Sequence, residues 1–154
     1  MASLISLEQC VVVLNPLGEI SGWSDDSDAI MPGRLELITV KHMADGAMLA
    51  NRTGRKGGEI TLKFRPTAPA VGRIMVQAEL FKKGAEIVWD GSIENTVYGY
   101  GWSFEEGFLQ EVPLGMTHGA SETANMEFKW IFENVSFNFE GAKFTDYNFP
   151  ARVA

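Results

Sequence analysis

Residues 59–84 read EITLKFRPTAPAVGRIMVQAELFKKG, and this stretch decides the fold. Its first seven residues alternate. Ile60, Leu62 and Phe64 point one way, and Glu59, Thr61, Lys63 and Arg65 the other, the period of a half-buried β-strand. The pattern then changes to that of a helix over Thr67–Gly84. Thr67 is available as a cap, Pro69 is tolerated in the first turn, and Gly84 stops the helix after Lys82 and Lys83. Val71, Ile74, Met75, Ala78 and Phe81 make a core-facing stripe. Val76 and Leu80 lie opposite that stripe, where a lone helix on a sheet should be polar. Either a second surface covers them or they are scattered surface aliphatics.

Working upstream, Gln9–Leu14 is a buried strand closed by the turn Asn15-Pro16-Leu17-Gly18, and Glu19–Trp23 completes a hairpin. Ser24–Asp28 is a solvated acidic turn. Leu35–Val40 is a strand that runs into a long polar stretch, Lys41–Gly58. That stretch has no sustained period, and loops beyond ~12–15 residues are uncommon in compact domains unless functional or disordered. A β-hairpin projecting from the body fits it.

Downstream, Glu86–Trp89 is a strand ending at an Asp90-Gly91 turn. In Val97–Phe104 the even positions Tyr98, Tyr100, Trp102 and Phe104 are aromatic, with Gly99 and Gly101 between them. Such a strand has one bulky and one bare face, and the bare face marks close approach of another backbone, inside a barrel or from a neighbouring subunit. Glu105–Glu122 reads as irregular. Met126, Phe128, Trp130 and Phe132 alternate, while Val135, Phe137 and Phe139 follow in the opposite phase, so a bulge or tight turn is expected at Glu133-Asn134. The sum is roughly eight or nine short strands and one helix: a mainly β chain, an antiparallel sandwich or barrel with a single packed α-helix. Residues 1–154 are expected to form one domain, with 41–58 as a projecting loop or hairpin within it.

The chain has 154 residues, enough for one well-buried core. Its net charge of −7 disfavours general attraction to nucleic acid or to an anionic membrane. The charge is uneven. Residues 1–40 carry six acids and one base, residues 41–65 six bases and two acids, and residues 103–146 eight acids and two bases. A single cysteine, Cys10, allows no internal disulfide and suits a reducing compartment. The start, MASLISLEQC, lacks the basic and apolar regions of a secretory signal, and no apolar run approaches the ~20 residues of a membrane span.

Nucleophilic chemistry needs a serine or cysteine beside a histidine and an orienting acid. Cys10 lies in an apolar strand, where a thiol behaves as a small hydrophobe, so a Cys10/His118 dyad is set aside. His42 and His118 have no metal-ligand spacing, and Asp25, Asp26 and Asp28 lack the glycine and terminal glutamate of a calcium loop. Gly99-Tyr100-Gly101 lacks a third glycine and a following helix. Arg52–Gly58 (RTGRKGG) lacks phosphate-loop spacing and leads into a strand. Asn51 and Asn134 match glycosylation acceptors but have no secretory context. No catalytic residue, cofactor or metal is assigned.

Taken in order, the features resemble a known family. Short strands lead to a long loop rich in glycine and bases, then to GEITLKFRPTAPA (58–70), one helix and the WDG turn (89–91). The paired aromatic strands of HGASETANMEFKWIFENVSFNF (118–139) follow. This layout is similar to the tail tube proteins of contractile-tailed bacteriophages, whose fold is related to the haemolysin-coregulated tube proteins of type VI secretion. The resemblance implies a virion protein with no enzymatic role. It would form homohexameric rings stacked head to tail, a channel for genome ejection that DNA crosses without specific binding. The implied partners are the chain itself, the tail sheath, baseplate and tape-measure proteins, with no membrane, after assembly in the host cytoplasm. Inter-ring contact is expected from Lys41, Arg52, Arg55, Lys56, Gly57 and Gly58, and intra-ring contact from Val76, Leu80, Gly99 and Gly101. A basic projection on an acidic body suits head-to-tail association, and an acidic lumen would repel DNA. Two alternatives stand beside this: a baseplate or tail-terminator component of the same fold, and a small-ligand-binding barrel with Tyr98, Tyr100 and Trp102 as pocket wall.

Overall fold

The computed structural model describes residues 9–140. The expectation for the N-terminal start falls largely on Met1–Glu8, and the single-domain span includes 141–154; both segments lie outside the described residues. Nine strands and one helix follow in chain order. They are β1 (Cys10–Asn15), β2 (Gly18–Ile20), β3 (Ile30–Pro32), β4 (Ile38–His42), β5 (Met48–Arg52) and β6 (Gly58–Phe64), then α1 (Pro69–Lys82), β7 (Trp89–Asn95), β8 (Tyr100–Glu111) and β9 (Met126–Asn138). Seven strands form one antiparallel sheet in the order β2-β1-β7-β8-β9-β6-β3, while β4 and β5 pair only with each other. The large sheet curls. The chain leaving β2 bridges Trp23 to Phe64, and the Ser24 N–H donates to the Lys63 carbonyl, so the two sheet edges are tied across β6.

The core follows from the alternation of β6 and β9. Ile60, Leu62 and Phe64 are 3%, 1% and 0% exposed, and they face Trp130, Phe128 and Met126 across the ladder. Trp23 stacks on Phe64 at 4.9 Å, and Trp89 meets Trp130 edge-on at 5.6 Å. Each buried aromatic contributes roughly 1.5–3 kcal/mol over leaving it in water. Only the first half of α1 is buried, through Ala70, Val71 and Ile74. Ala68, not Thr67, occupies the N-cap and makes no side-chain cap, because the helix begins at Pro69 and Thr67 falls in the preceding turn. Phe81 also leaves the expected stripe: it is exposed and leans toward Phe108 at 6.3 Å. Gly84 ends the helix at φ +105°, a left-handed conformation that costs glycine little.

Several segments differ from the sequence expectation, beginning with Glu86–Trp89, of which only Trp89 is in a strand. Asp90-Gly91 is no turn: β7 starts at Trp89 and runs through both residues, with a register slip between Trp89 and Gly91. A Cβ at Gly91 would collide with the Val13 carbonyl, so the glycine is there for close strand packing. The real turn is Thr96–Gly99. There Asn95 Oδ1 accepts from the Val97 and Tyr98 N–H groups at 3.1 and 2.9 Å, an Asn side chain organising its own turn.

The region expected to be irregular from Glu105 continues as strand to Glu111. Finally, β9 is one unbroken strand across Glu133-Asn134. The phase change there is a local irregularity matched in β8, where Phe104 and Gly107 are both buried three positions apart and Glu106 has φ +52°. The pairs Glu105↔Asn134 and Gly107↔Phe132 keep one register, so both strands change phase at the same level. The three-residue strand β3, which pairs with β6, is an element the alternation did not foresee.

Candidate assembly surfaces

The β4–β5 hairpin is the most conspicuous surface. Every residue from Ile38 to Arg52 is exposed. Its tip is the Asp45-Gly46 turn, with Gly46 at φ +87° and the Ala47 N–H donating to Asp45 Oδ1 at 3.0 Å. Its root is fixed by Thr53, whose hydroxyl donates to the Glu36 carbonyl at 2.6 Å. The pairs Ile38↔Arg52, Val40↔Ala50 and His42↔Met48 share one face, and Thr39↔Asn51 and Lys41↔Leu49 the other. The first face is therefore apolar at its centre, with Met48 63% exposed. A two-stranded hairpin with one bare apolar face is marginal in water on its own.

The residues expected at an inter-ring contact divide into two groups. Lys41 and Arg52 are on the hairpin, and Arg55 and Lys56 lie at its root. Arg55 pairs with Glu36 at 3.4 Å. Gly58 opens β6 in the large sheet, where it pairs with Phe132, and Gly57 directly precedes it. A Cβ at Gly57 would collide with the Phe132 carbonyl, whereas one at Gly58 would meet only Val135 at 3.9 Å. Arg34, Leu35, Glu36, Arg55, Lys56 and Ile131 surround an open notch of about 680 Å³ between this root and the sheet.

Of the expected intra-ring residues, Val76 and Leu80 are 58% and 45% exposed on the outer side of α1. Gly99 and Gly101 are accounted for within the chain. Gly99 has φ +73° in the Thr96–Gly99 turn, and the bare face of Gly101 lies on the Ile93 carbonyl. In the aromatic row, Tyr100 meets Trp102 edge-on at 5.9 Å and both pack on Phe139, at 5.4 and 5.8 Å, while Trp102 and Phe104 border a crevice of about 140 Å³. Small-molecule sites occupy roughly 300–1,000 Å³.

Acids gather at two further places. Asp28 pairs with Lys63 at 2.9 Å, while Asp25 and Asp26 accept from the Asn125 amide at 3.0 and 3.3 Å. The hydrogen bond to Lys63 holds the Asp28 carboxyl below its ordinary range. Opposite the irregularity in β9, Glu106 shares a hydrogen bond with Glu133, which raises its pKa above the usual value; the negative charge of Glu133 adds to the effect. Burial pushes the Cys10 thiol up, away from the thiolate a nucleophile needs. His118 Nδ1 lies 3.4 Å from the Thr123 hydroxyl. No three His, Cys, Asp or Glu side chains among the described residues could hold a metal ion together.

The sequence reading missed Arg34 and the apolar hairpin face of Ile38, Val40 and Met48. Asp45-Gly46 between two short alternating runs was the available signal, since Asp-Gly favours the left-handed conformations of tight hairpin turns.

No protein-family model matches the chain, and no curated protein matches it by sequence. Solved structures do match by shape. A chain of the extracellular contractile injection system PVC, in its sheath/tube terminator in the extended state, superposes with a TM-score of 0.66 at 11% identity, covering 89% of this chain and 98% of that one. The PVC sheath-tube complex in the extended state gives 0.66 at 12% identity, covering 88% and 91%. The anti-feeding prophage cap, a tube-terminating cap, gives 0.55 at 13% identity, covering 90% and 93%. The curled antiparallel sheet, the single helix and these superpositions agree: the chain has the fold of phage-tail-like, tube-type proteins.

Proposed function

We propose that this chain is a structural, non-enzymatic tail tube subunit of a phage-like contractile particle. Copies of it form hexameric rings that stack head to tail around a channel, through which DNA passes without specific binding. Sheath, baseplate and tape-measure proteins are the further partners, and the finished protein resides in the tail after assembly in the host cytoplasm. The observation that carries this reading is the β4–β5 hairpin: an ordered pair of strands, outside the core, with Ile38, Val40 and Met48 exposed on one face. Its own subunit leaves that face in water, and a neighbouring copy removes it. Lys41, Arg52, Arg55 and Lys56 add positive charge at the same projection, opposite in sign to the chain as a whole. Val76 and Leu80 supply a second apolar surface for a neighbour within the ring, and Gly99 and Gly101, at the start of β8, are the further intra-ring positions.

Negative-stain microscopy of the purified chain tests the reading. Rings or long tubes are expected. A chain that remains monomeric at high concentration overturns it.

The superposition on a sheath/tube terminator favours a second reading, a cap of the same fold that closes the tube. Copy number separates the two. A tube subunit is among the most abundant proteins of the particle, and a cap is present in about one ring's worth of copies.

A further inference from the structure

Resting on the assembly reading above, we propose that the notch at the root of the β4–β5 hairpin receives the Asp25–Asp26 turn of a second copy of this chain, so that subunits stack pole to pole along the direction of β6. The notch is open, and its charges are not balanced from within. Glu36 is engaged by Arg55 at 3.4 Å and Glu59 by Lys129 at 2.9 Å. Arg34 and Lys56 are exposed and have no ion pair among the described residues. Ile131, 45% exposed, adds an apolar patch to the lining.

The complementary pole lies at the other end of the same strand. Residues 22–24 join β6 near Lys63 and Phe64, whereas the notch adjoins Gly57–Glu59. Six residue steps separate these ends, about 20 Å at the rise of an antiparallel strand. At the far pole Asp28 is neutralised by Lys63, whereas Asp25 and Asp26 accept from the uncharged Asn125 amide, Asp26 also from the Ser24 hydroxyl at 3.5 Å, and neither forms an ion pair among the described residues. Asn125 and the Ser24 hydroxyl, which accepts from the Asp26 N–H at 3.3 Å, hold the turn in shape before any partner arrives. Arg65 is exposed beside Gly22 at the acidic end, but Asp25, Asp26 and Asp28 outnumber it and Lys63 there, so the excess charges of the two ends are opposite and favour head-to-tail stacking. A face-to-face pair would place like charges together.

Charge exchange tests this. Arg34→Glu with Lys56→Glu gives a subunit acidic at both poles, and Asp25→Lys with Asp26→Lys gives one basic at both. Each double variant alone is expected to lose stacking, read as loss of long tubes by negative stain and of fast-sedimenting species. An equimolar mixture is expected to regain it, because the two alternate with opposite charges in register. The milder Arg34→Gln with Lys56→Gln, checked by circular dichroism against the parent, is expected to shorten tubes and to make their length less sensitive to salt, because the attraction that salt screens is gone. Tubes of unchanged length from either reversed variant alone, or a mixture that fails to stack, overturn the inference. Parent rings that never stack also overturn it while leaving a ring-forming cap in place; a parent that never associates overturns the assembly reading as well.

Discussion

The β6–β9 seam and the β4–β5 hairpin are both antiparallel pairs with an apolar face, yet their environments are opposite. Along β6–β9 the face made by Ile60, Leu62, Phe64, Phe128 and Trp130 is covered by the subunit's own sheet and helix. Along β4–β5 the face made by Ile38, Val40 and Met48 is in water. Alternation therefore tells that a strand has a side to hide, but not which molecule hides it. The seam serves folding and the hairpin serves association, and substitutions should separate the two.

The largest effect on stability is expected in the seam. Phe64→Ala should cost about 3–5 kcal/mol in urea unfolding, since the ring is fully buried against Trp23 and Phe128. Gly107→Ala should cost about 1–3 kcal/mol, because its Cβ would enter the space of the Phe132 ring and the strand must shift. Val40→Asp with Met48→Asp should change the unfolding free energy by no more than about 0.5 kcal/mol per site, as exposed positions do. The same double change should nevertheless abolish ring or tube formation by negative stain. Comparable losses of stability and assembly in that variant would erase the distinction between the regions.

The smallest effect concerns pH. The folded chain holds the proton of Glu106 more tightly than an unfolded chain does. The resulting stabilisation is fully present below the ordinary value of 4.5 and is lost as pH rises through the higher folded value. Glu106→Gln should therefore flatten the dependence of melting temperature on pH in that window, with the parent losing ground to the variant as pH increases.

Much of the fold was legible because it rests on short-range periods. The alternation of residues 59–65 and the apolar run before Asn15 each mark a strand within a residue or two of its bounds, and the aromatic row at 126–132 marks the start of β9, which runs on to Asn138. What escaped depends on partners distant in sequence. Gly91 resembles a turn residue beside Asp90, and only the Val13 carbonyl across the ladder reveals why it is small. The Glu105–Glu111 half of β8 lacks clean alternation because its phase shifts at Glu106. The surfaces were less legible still. Their charges were visible in the composition, but Gly57 and Gly58 look like loop residues until Phe132 is placed beside them. Arg34 is a lone base in an acidic stretch, and only the fold brings it near Lys56.

The matched irregularity at Glu105–Glu106 and Glu133–Asn134 has a consequence for how this ribbon tolerates changes in length. Phe104 and Phe132 lie 5.1 Å apart across it, so each strand's offset is aligned with the other's like two teeth of a key. Deleting one residue from either strand alone would turn half of that strand inside out, whereas a compensating deletion in its partner would restore a common phase. In an evolving lineage, these two loci should gain and lose residues together.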